Sequence, residues 1–188
     1  MSIARTGTGA GYQEGKMTVL EAIVKRRSIR EFIDQGVPEH AVEALIDAIL
    51  WAPSAGNMQS RKFYFVLRKE VKEAIARAAL GQRFISTAPI AVVACLDRRI
   101  SVRYGDRGIN LYAIQDAAAS IENMMLVARD LGLGTCWVGA FNEFDVAEVL
   151  DLPDHLRPVA IIPVGYPAAL PKGAPKRLPR EEVVTFIT

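Results

Sequence analysis

Between Arg107 and Phe141 the chain reads RGINLYAIQDAAASIENMMLVARDLGLGTCWVGAF. Leu111, Ile114, Ala118, Ile121, Met125, Ala128 and Leu131 recur at three- and four-residue steps, the spacing of one helical face, with Ala117, Met124 and Val127 beside them. This spacing predicts a helix over 107–131, apolar nearly all round, which belongs at the centre of a domain or in a subunit interface. The run Ala117-Ala118-Ala119-Ser120 is small enough to let another helix approach closely. Gly132 and Gly134 read as the stop of that helix and the start of the next element rather than as a nucleotide loop. TCWVGAF (135–141) then reads as a strand.

Toward the N-terminus, Thr18 and Glu21 form a T-x-x-E capping box ahead of Val19, Leu20, Ile23 and Val24, which predicts a short helix to about Arg27. KRRSIREF (25–32) is its exit, and Asp34, Gly36 and Pro38 make a turn. Val42, Leu45, Ile46, Ile49 and Leu50 predict a second helix, stopped by Pro53, and APSAGNMQSRK (52–62) is a loop. FYFVLR (63–68) predicts a strand, 70–80 a short helix closed by Gly81, and PIAVVACL (89–96) a strand buried on both faces. Beyond the long helix, 143–150 reads as helical and PVAIIPVGY (158–166) as another buried strand. Helices and strands alternate irregularly, with too few βαβ units for a doubly wound sheet, so the expected class is α+β.

The ends differ from this body, which runs over 18–170. Residues 1–17 are rich in Gly and small polar residues without periodicity and read as a flexible leader. Its GTGAG lacks the preceding strand that a dinucleotide-binding loop requires. Residues 171–188 begin proline-rich and finish in the strand-like EEVVTFIT, an extended arm suited to reaching a partner subunit.

Of the 188 residues 51% are hydrophobic and 23% charged, with a net charge of +2. That balance is globular and argues against a general nucleic-acid binder, so any anion site must be a local cluster. The longest apolar run, Ala88 to Leu96, is far below the ~20 residues of a membrane helix. Neither a nucleic-acid nor a membrane partner is expected. Cys95 and Cys136 stand far apart with no CxxC, which reads as two reduced, buried thiols in a cytoplasmic protein. His40 and His155 have no second ligand at metal spacing, and no Ser or Cys sits in a nucleophile elbow.

Four stretches carry groups suited to binding. In KRRSIREF, cations at a helix C-terminus meet the negative end of the helix dipole, which accounts for Lys25, Arg26 and Arg27. It does not account for Ser28 and Arg30, which lie beyond the helix and alternate with apolar Ile29 and Phe32. A guanidinium fork and a hydroxyl on one side of an extended segment suit a phosphate or a polar ring edge. APSAGNMQ (52–59) places Ser54, Asn57 and Gln59 on a turn fixed by Pro53 and Gly56. WVGAFN (137–142) ends a strand in small residues, so backbone N–H groups there can come close to a flat ligand. Lys176 and Arg177 are held between Pro175 and Pro179.

In this order the motifs resemble the nitroreductase family of flavin (FMN) oxidoreductases. RRSIREF, APSAGNMQ, ALGQRFISTAP (79–89), residues 113–142, PVAIIPVGYP (158–167) and KRLPREEVV (176–184) all contribute, from about Thr18 to Val184. The resemblance implies a mainly antiparallel central sheet flanked by helices. It further implies an intertwined homodimer with FMN at the subunit interface and the C-terminal arm crossing to the partner. Carried over residue by residue, Arg26, Arg27 and Ser28 match the phosphate and ribityl positions, with Arg177 a further phosphate cation. Arg30 matches the position beside the flavin pyrimidine edge, and Gln82 a reader of that edge. Ser54 and Asn57 match contacts from the other subunit, and the Val138, Gly139 and Ala140 backbone the strip facing flavin N5. The implied activity is ping-pong hydride transfer from NADH or NADPH to nitroaromatic, quinone or other electron-poor acceptors, with no side chain required as acid, base or nucleophile. The same motifs fit a flavin-storing module, or a specialised flavin reaction such as dehalogenation, flavin destruction or deazaflavin-linked reduction.

Two departures from the family pattern stand out. Many members follow Asn-x-Gln with Pro-Trp, where this chain has Ser60-Arg61. The segment 97–106 is short and arginine-rich where larger relatives carry a lid. Arg61, Arg103 and Tyr104 are therefore either contacts for an anionic substrate or a solvated rim.

Overall fold

The computed structural model describes residues 17–188, so the leader reading, apart from Met17, lies outside the described residues. Four strands form one sheet: β1 (Arg61–Val66), β2 (Ile90–Asp97), β3 (Gly134–Thr135) and β4 (Leu156–Gly165), in the order β1-β2-β4-β3. Every ladder is antiparallel. The helices around it are α1 (Val19–Lys25), α2 (Glu39–Leu50), α3 (Lys69–Ala78), α4 (Phe84–Thr87), α5 (Ser101–Arg107), α6 (Ala113–Asp130), α7 (Glu143–Val149) and α8 (Arg180–Val183). This is the α+β class expected from the sequence.

Alternation along β2 explains why it reads as one apolar run. Ile90, Val92 and Ala94 pack with Leu45 and Ile49 of α2 and Ile121, Met124 and Met125 of α6. Ala91, Val93 and Cys95 face the other way, against Ile75 of α3 and Val146 of α7. Helices cover both faces, so neither set can be polar. Burial raises the Cys95 thiol to about 12 and pushes Cys136 up as well. Both cysteines are free and buried. A thiol reagent at pH 8 is therefore expected to label neither in the native protein and both in guanidinium; native labelling would show that the core opens readily.

The start and stop signals hold. Thr18 Oγ1 accepts from the Glu21 amide, and the Glu21 carboxylate accepts from the Thr18 amide, completing the capping box of α1. At the end of α6, Leu133 N donates to Ala128 O (2.8 Å) and Gly132 N to Arg129 O (3.2 Å), with Gly132 at φ +77°. That is the Schellman pattern, and it identifies LGLGT as a helix stop.

Three expectations need correction. The single helix over 107–131 is a wide π-type turn, Gly108–Tyr112, leading into α6. The preceding α5 is broken at Gly105 (φ 55°, ψ −149°), and a Cβ on Gly108 would lie 2.9 Å from Tyr104 Cβ. The buried face of α6 includes Ala113, Ala117, Ile121, Met124, Met125 and Ala128, with polar Asp116 and Ser120 among them, while Ile114 is 41% exposed. The strand over 135–141 is also shorter than expected. Gly134 pairs with Gly165, Thr135 with Val164 and Val138 with Ile161, so Cys136 falls opposite Pro163. Proline has no N–H to donate, and the ladder is interrupted there. Finally, EEVVTFIT is not a strand: α8 takes Arg180–Val183, and the rest of this exposed arm has no ladder partner within the described residues of this chain.

Candidate functional site

Three segments distant in sequence meet beside β3. The first is laid down by Ile29, which is buried and donates its N–H to Thr135 O (2.9 Å), while Ser28 forms a parallel bridge with Thr135. With Ile29 turned inward, Ser28 and Arg30 on either side of it are exposed, as their alternation predicts. Gly134 makes the approach possible, because a Cβ there would lie 2.6 Å from Ile29 Cγ1.

The second segment is the turn into α4. The Arg30 guanidinium lies over the Phe84 ring, 5.8 Å from its centroid, and this stacking limits where the charge can move. Gln82 Nε2 donates to Ala79 O (2.9 Å) and Ala140 O (3.0 Å). Both amide hydrogens are thereby used, and the Gln82 carbonyl is left to accept. Lys72 moors this segment from α3: it is buried and donates to the carbonyls of Ala88 and Pro89. Desolvation lowers its pKa.

The third segment is the run after β3. Val138 exchanges both backbone hydrogen bonds with Ile161 (2.9 and 3.0 Å), which anchors the chain just before Gly139 and Ala140. Those two residues are exposed, and among the described residues their N–H groups have no partner. Burial pushes the neighbouring Cys136 thiol up against the opposing pull of Arg30, the Ser28 hydroxyl and Arg26. Arg26, Ser28, Arg30, Gln82, Val138, Gly139 and Ala140 thus belong to one region.

The remaining sequence candidates fall elsewhere. Arg27 donates to Val24 O (2.7 Å), Arg26 O (2.8 Å) and Gly173 O (3.2 Å), so it caps α1 and pins the base of the arm. Arg26 has one long ion pair, to Glu122 of α6 at 3.8 Å. Ser54 and Asn57 flank a short turn, Ala55–Asn57, where Ser54 Oγ accepts from Gln59 N (3.0 Å). Among the described residues no hydrogen bond or ion pair joins this turn to the first region. Instead it abuts α5: a Cβ on Gly56 would overlap the Tyr104 hydroxyl and lie 3.2 Å from Arg103 Nη1. Arg177 is exposed on the arm and among the described residues reaches only Lys176 O (3.4 Å).

Arg61 is half-buried and spends one guanidinium nitrogen on the backbone. Its Nη2 donates to Ile49 O, Leu50 O and Ala52 O, closing the C-terminal end of α2. Arg103 stacks over Tyr104 (5.3 Å), and Tyr104 meets Tyr112 edge-on (5.2 Å). Sequence reasoning missed Phe84, Lys72 and Asp116. Only Asp116 carried a signal: with Ser120 it stands at i, i+4 spacing beside the apolar positions of the long helix.

The α+β layers thus bring cations, a hydroxyl and backbone amides that are free among the described residues onto one exposed strip. The family comparison makes the assignment narrower. The sequence model of the Nitroreductase family matches residues 23–89 and 79–166, and the chain belongs to that family. A protein of Methanothermobacter thermautotrophicus, provisionally named an NADH dehydrogenase/NAD(P)H nitroreductase, is 34% identical over 83% of this chain and 81% of its own length. An FMN reductase [NAD(P)H] of Bacillus subtilis is 31% identical over 88% of this chain and 72% of its own. The NfrA1 nitroreductase structure from B. subtilis superposes with a TM-score of 0.83 at 29% identity, over 91% of this chain and 74% of that one.

Proposed function

We propose that the protein is an FMN-dependent NAD(P)H oxidoreductase, reducing nitroaromatic, quinone or related electron-poor acceptors as a homodimer. The observation that carries this reading is the convergence of Arg26, Ser28, Arg30, Gln82 and the Gly139–Ala140 backbone on one exposed strip. When bound there, FMN supplies the two-electron chemistry between a nicotinamide and an acceptor.

The donor set fits such a group. Arg26 and Ser28 offer a guanidinium and a hydroxyl for a phosphate and its chain, and Glu122 neutralises Arg26 only weakly at 3.8 Å. Gln82, its amide hydrogens already used by Ala79 and Ala140, presents an acceptor to a ring N–H. Arg30, stacked on Phe84, fixes a positive charge that favours negative charge on the polar edge of a ring lying beside it. A Cβ on Gly139 would have nothing within 4 Å, so the backbone there is open to a flat ligand.

Ser54, Asn57 and Arg177 complete the reading only if a second copy supplies them. Large apolar side chains support that copy: Leu20, Ile23 and Val24 on α1 are exposed, Trp51 is 85% exposed and Ile187 98% exposed. An exposed apolar helix face such as that of Leu20, Ile23 and Val24 marks an interface. β1 is also an edge strand whose outer side has no ladder partner among the described residues.

Purified protein is expected to be yellow, to release FMN on denaturation, and to oxidise NADH or NADPH when a nitroaromatic or quinone is present. Colourless protein that cannot be reconstituted with FMN refutes the reading. Yellow protein inert to both nicotinamides reduces it to flavin binding alone.

A further inference from the structure

The turn bearing Ser54 and Asn57 has its own hydrogen bonds, Asn57 N to Ser54 O (3.0 Å) and Gln59 N to Ser54 Oγ (3.0 Å), yet its backbone is strained. Gly56 (φ 54°), Asn57 (φ 55°) and Gln59 (φ 53°) all lie in the left-handed region, which disfavours any residue with a Cβ, glutamine more than asparagine. Backbone of this kind persists where its surroundings impose it.

Two charged side chains impose it here. Asp116, 5% exposed on α6, accepts from Ala55 N at 2.9 Å through Oδ1. Arg61, at the start of β1, holds the carbonyl of Ala52 at 2.9 Å together with those of Ile49 and Leu50. Pro53 and Ser54 are the only residues between these two anchor points. Among the described residues each anchor also keeps one buried atom without a hydrogen-bond partner, Asp116 Oδ2 and Arg61 Nη1. The two groups sense each other's charge: Arg61 pulls the Asp116 pKa down, against the larger opposing effect of burial. A buried, incompletely paired acid beside a half-buried guanidinium is costly to a fold that needs only packing. At this position they fix the backbone on both sides of Ser54.

We propose that Asp116 and Arg61 are positioning residues, a buried acid–base clamp that sets the Ser54–Asn57 turn and through it the second half of the flavin site. The flavin part rests on the function proposed above; the clamp itself is a property of the backbone. It acts from beneath the turn. Asp116 fixes the amide that follows Ser54, and Arg61 fixes the carbonyl two residues before it. The Ser60-Arg61 departure from the family's Pro-Trp thus places a second anchor on the turn.

Amide exchange and flavin affinity test this separately in the full-length protein. In Asp116→Ala, Ala55 is expected to exchange about tenfold faster while β2 amides keep their protection, and FMN to bind about tenfold more weakly. Asp116→Asn keeps an acceptor for the Ala55 amide and is expected to restore both to within about threefold. Arg61→Met is expected to speed exchange in the same turn, and it carries the test if Asp116→Ala does not fold. Combining Ser54→Ala with Asp116→Ala should weaken FMN no more than the worse single change, because both act through one turn. Unchanged exchange at Ala55 overturns the clamp, and fully additive losses overturn its link to the flavin. Should the wild-type protein bind no FMN, the functional reading fails, while the Ala55 exchange rates still decide the clamp.

Discussion

Arg30→Ala is expected to weaken FMN binding by about ten- to a hundredfold and to make its reduction harder. The magnitude follows from losing one charge-assisted contact, about 1.5–3 kcal/mol. Arg30 stands out because its position is prepared in advance: buried Ile29 sets the direction of the segment, and Phe84 supports the guanidinium at 5.8 Å. Less side-chain freedom is therefore lost when a ligand arrives. Lys25→Ala makes the contrast. Lys25 pairs with Glu21 at 3.1 Å on an exposed helix face, where solvent screens such a pair and it adds little. Fluorescence titration and the midpoint potential of bound flavin read both variants. An Arg30→Ala protein with wild-type affinity and potential removes the role assigned to this side chain.

Gly134→Ala is expected to cost about 1–3 kcal/mol of stability, the range for overpacking a filled core, and to weaken FMN binding at the same time. The added Cβ would stand 2.6, 2.8 and 2.9 Å from Ile29 Cγ1, Cβ and Cγ2. Ile29 cannot simply retreat, because its backbone N–H is held by Thr135 O at 2.9 Å. What moves instead is the segment that presents Ser28 and Arg30. Trimming the obstacle should undo the damage, so Ile29→Ala placed on Gly134→Ala is expected to recover flavin affinity relative to Gly134→Ala alone. Thermal melts and flavin titrations of the three variants check this. A Gly134→Ala protein as stable and as tight-binding as wild type would show that the two segments are not in firm contact.

Much of this molecule was legible in its sequence because local rules dominate where they were applied. Thr18 and Glu21 define a helix start through hydrogen bonds within four residues, and Gly132 defines a helix stop through a backbone angle. The alternation of Ser28 and Arg30 around Ile29 gave the exposed side of that segment correctly. Strand 135–141 failed for a non-local reason, since its ladder stops opposite Pro163, a partner set only by register. Arg61 shows the same limit. It reads as a free cation in one dimension, yet in the fold it donates to the carbonyls at the end of a helix.

By itself the sequence determined the α+β class, the caps, the apolar strands, and the family to which the motifs belong, because all of these depend on spacing and residue type. Tertiary structure alone decided which face of α6 is buried, which arginines remain available to a ligand, and that Gln82 and Ala140 touch. The physical reason is shared. A charge or an amide acquires its role from the partner it meets, and partners separated by dozens of residues are brought together only by packing.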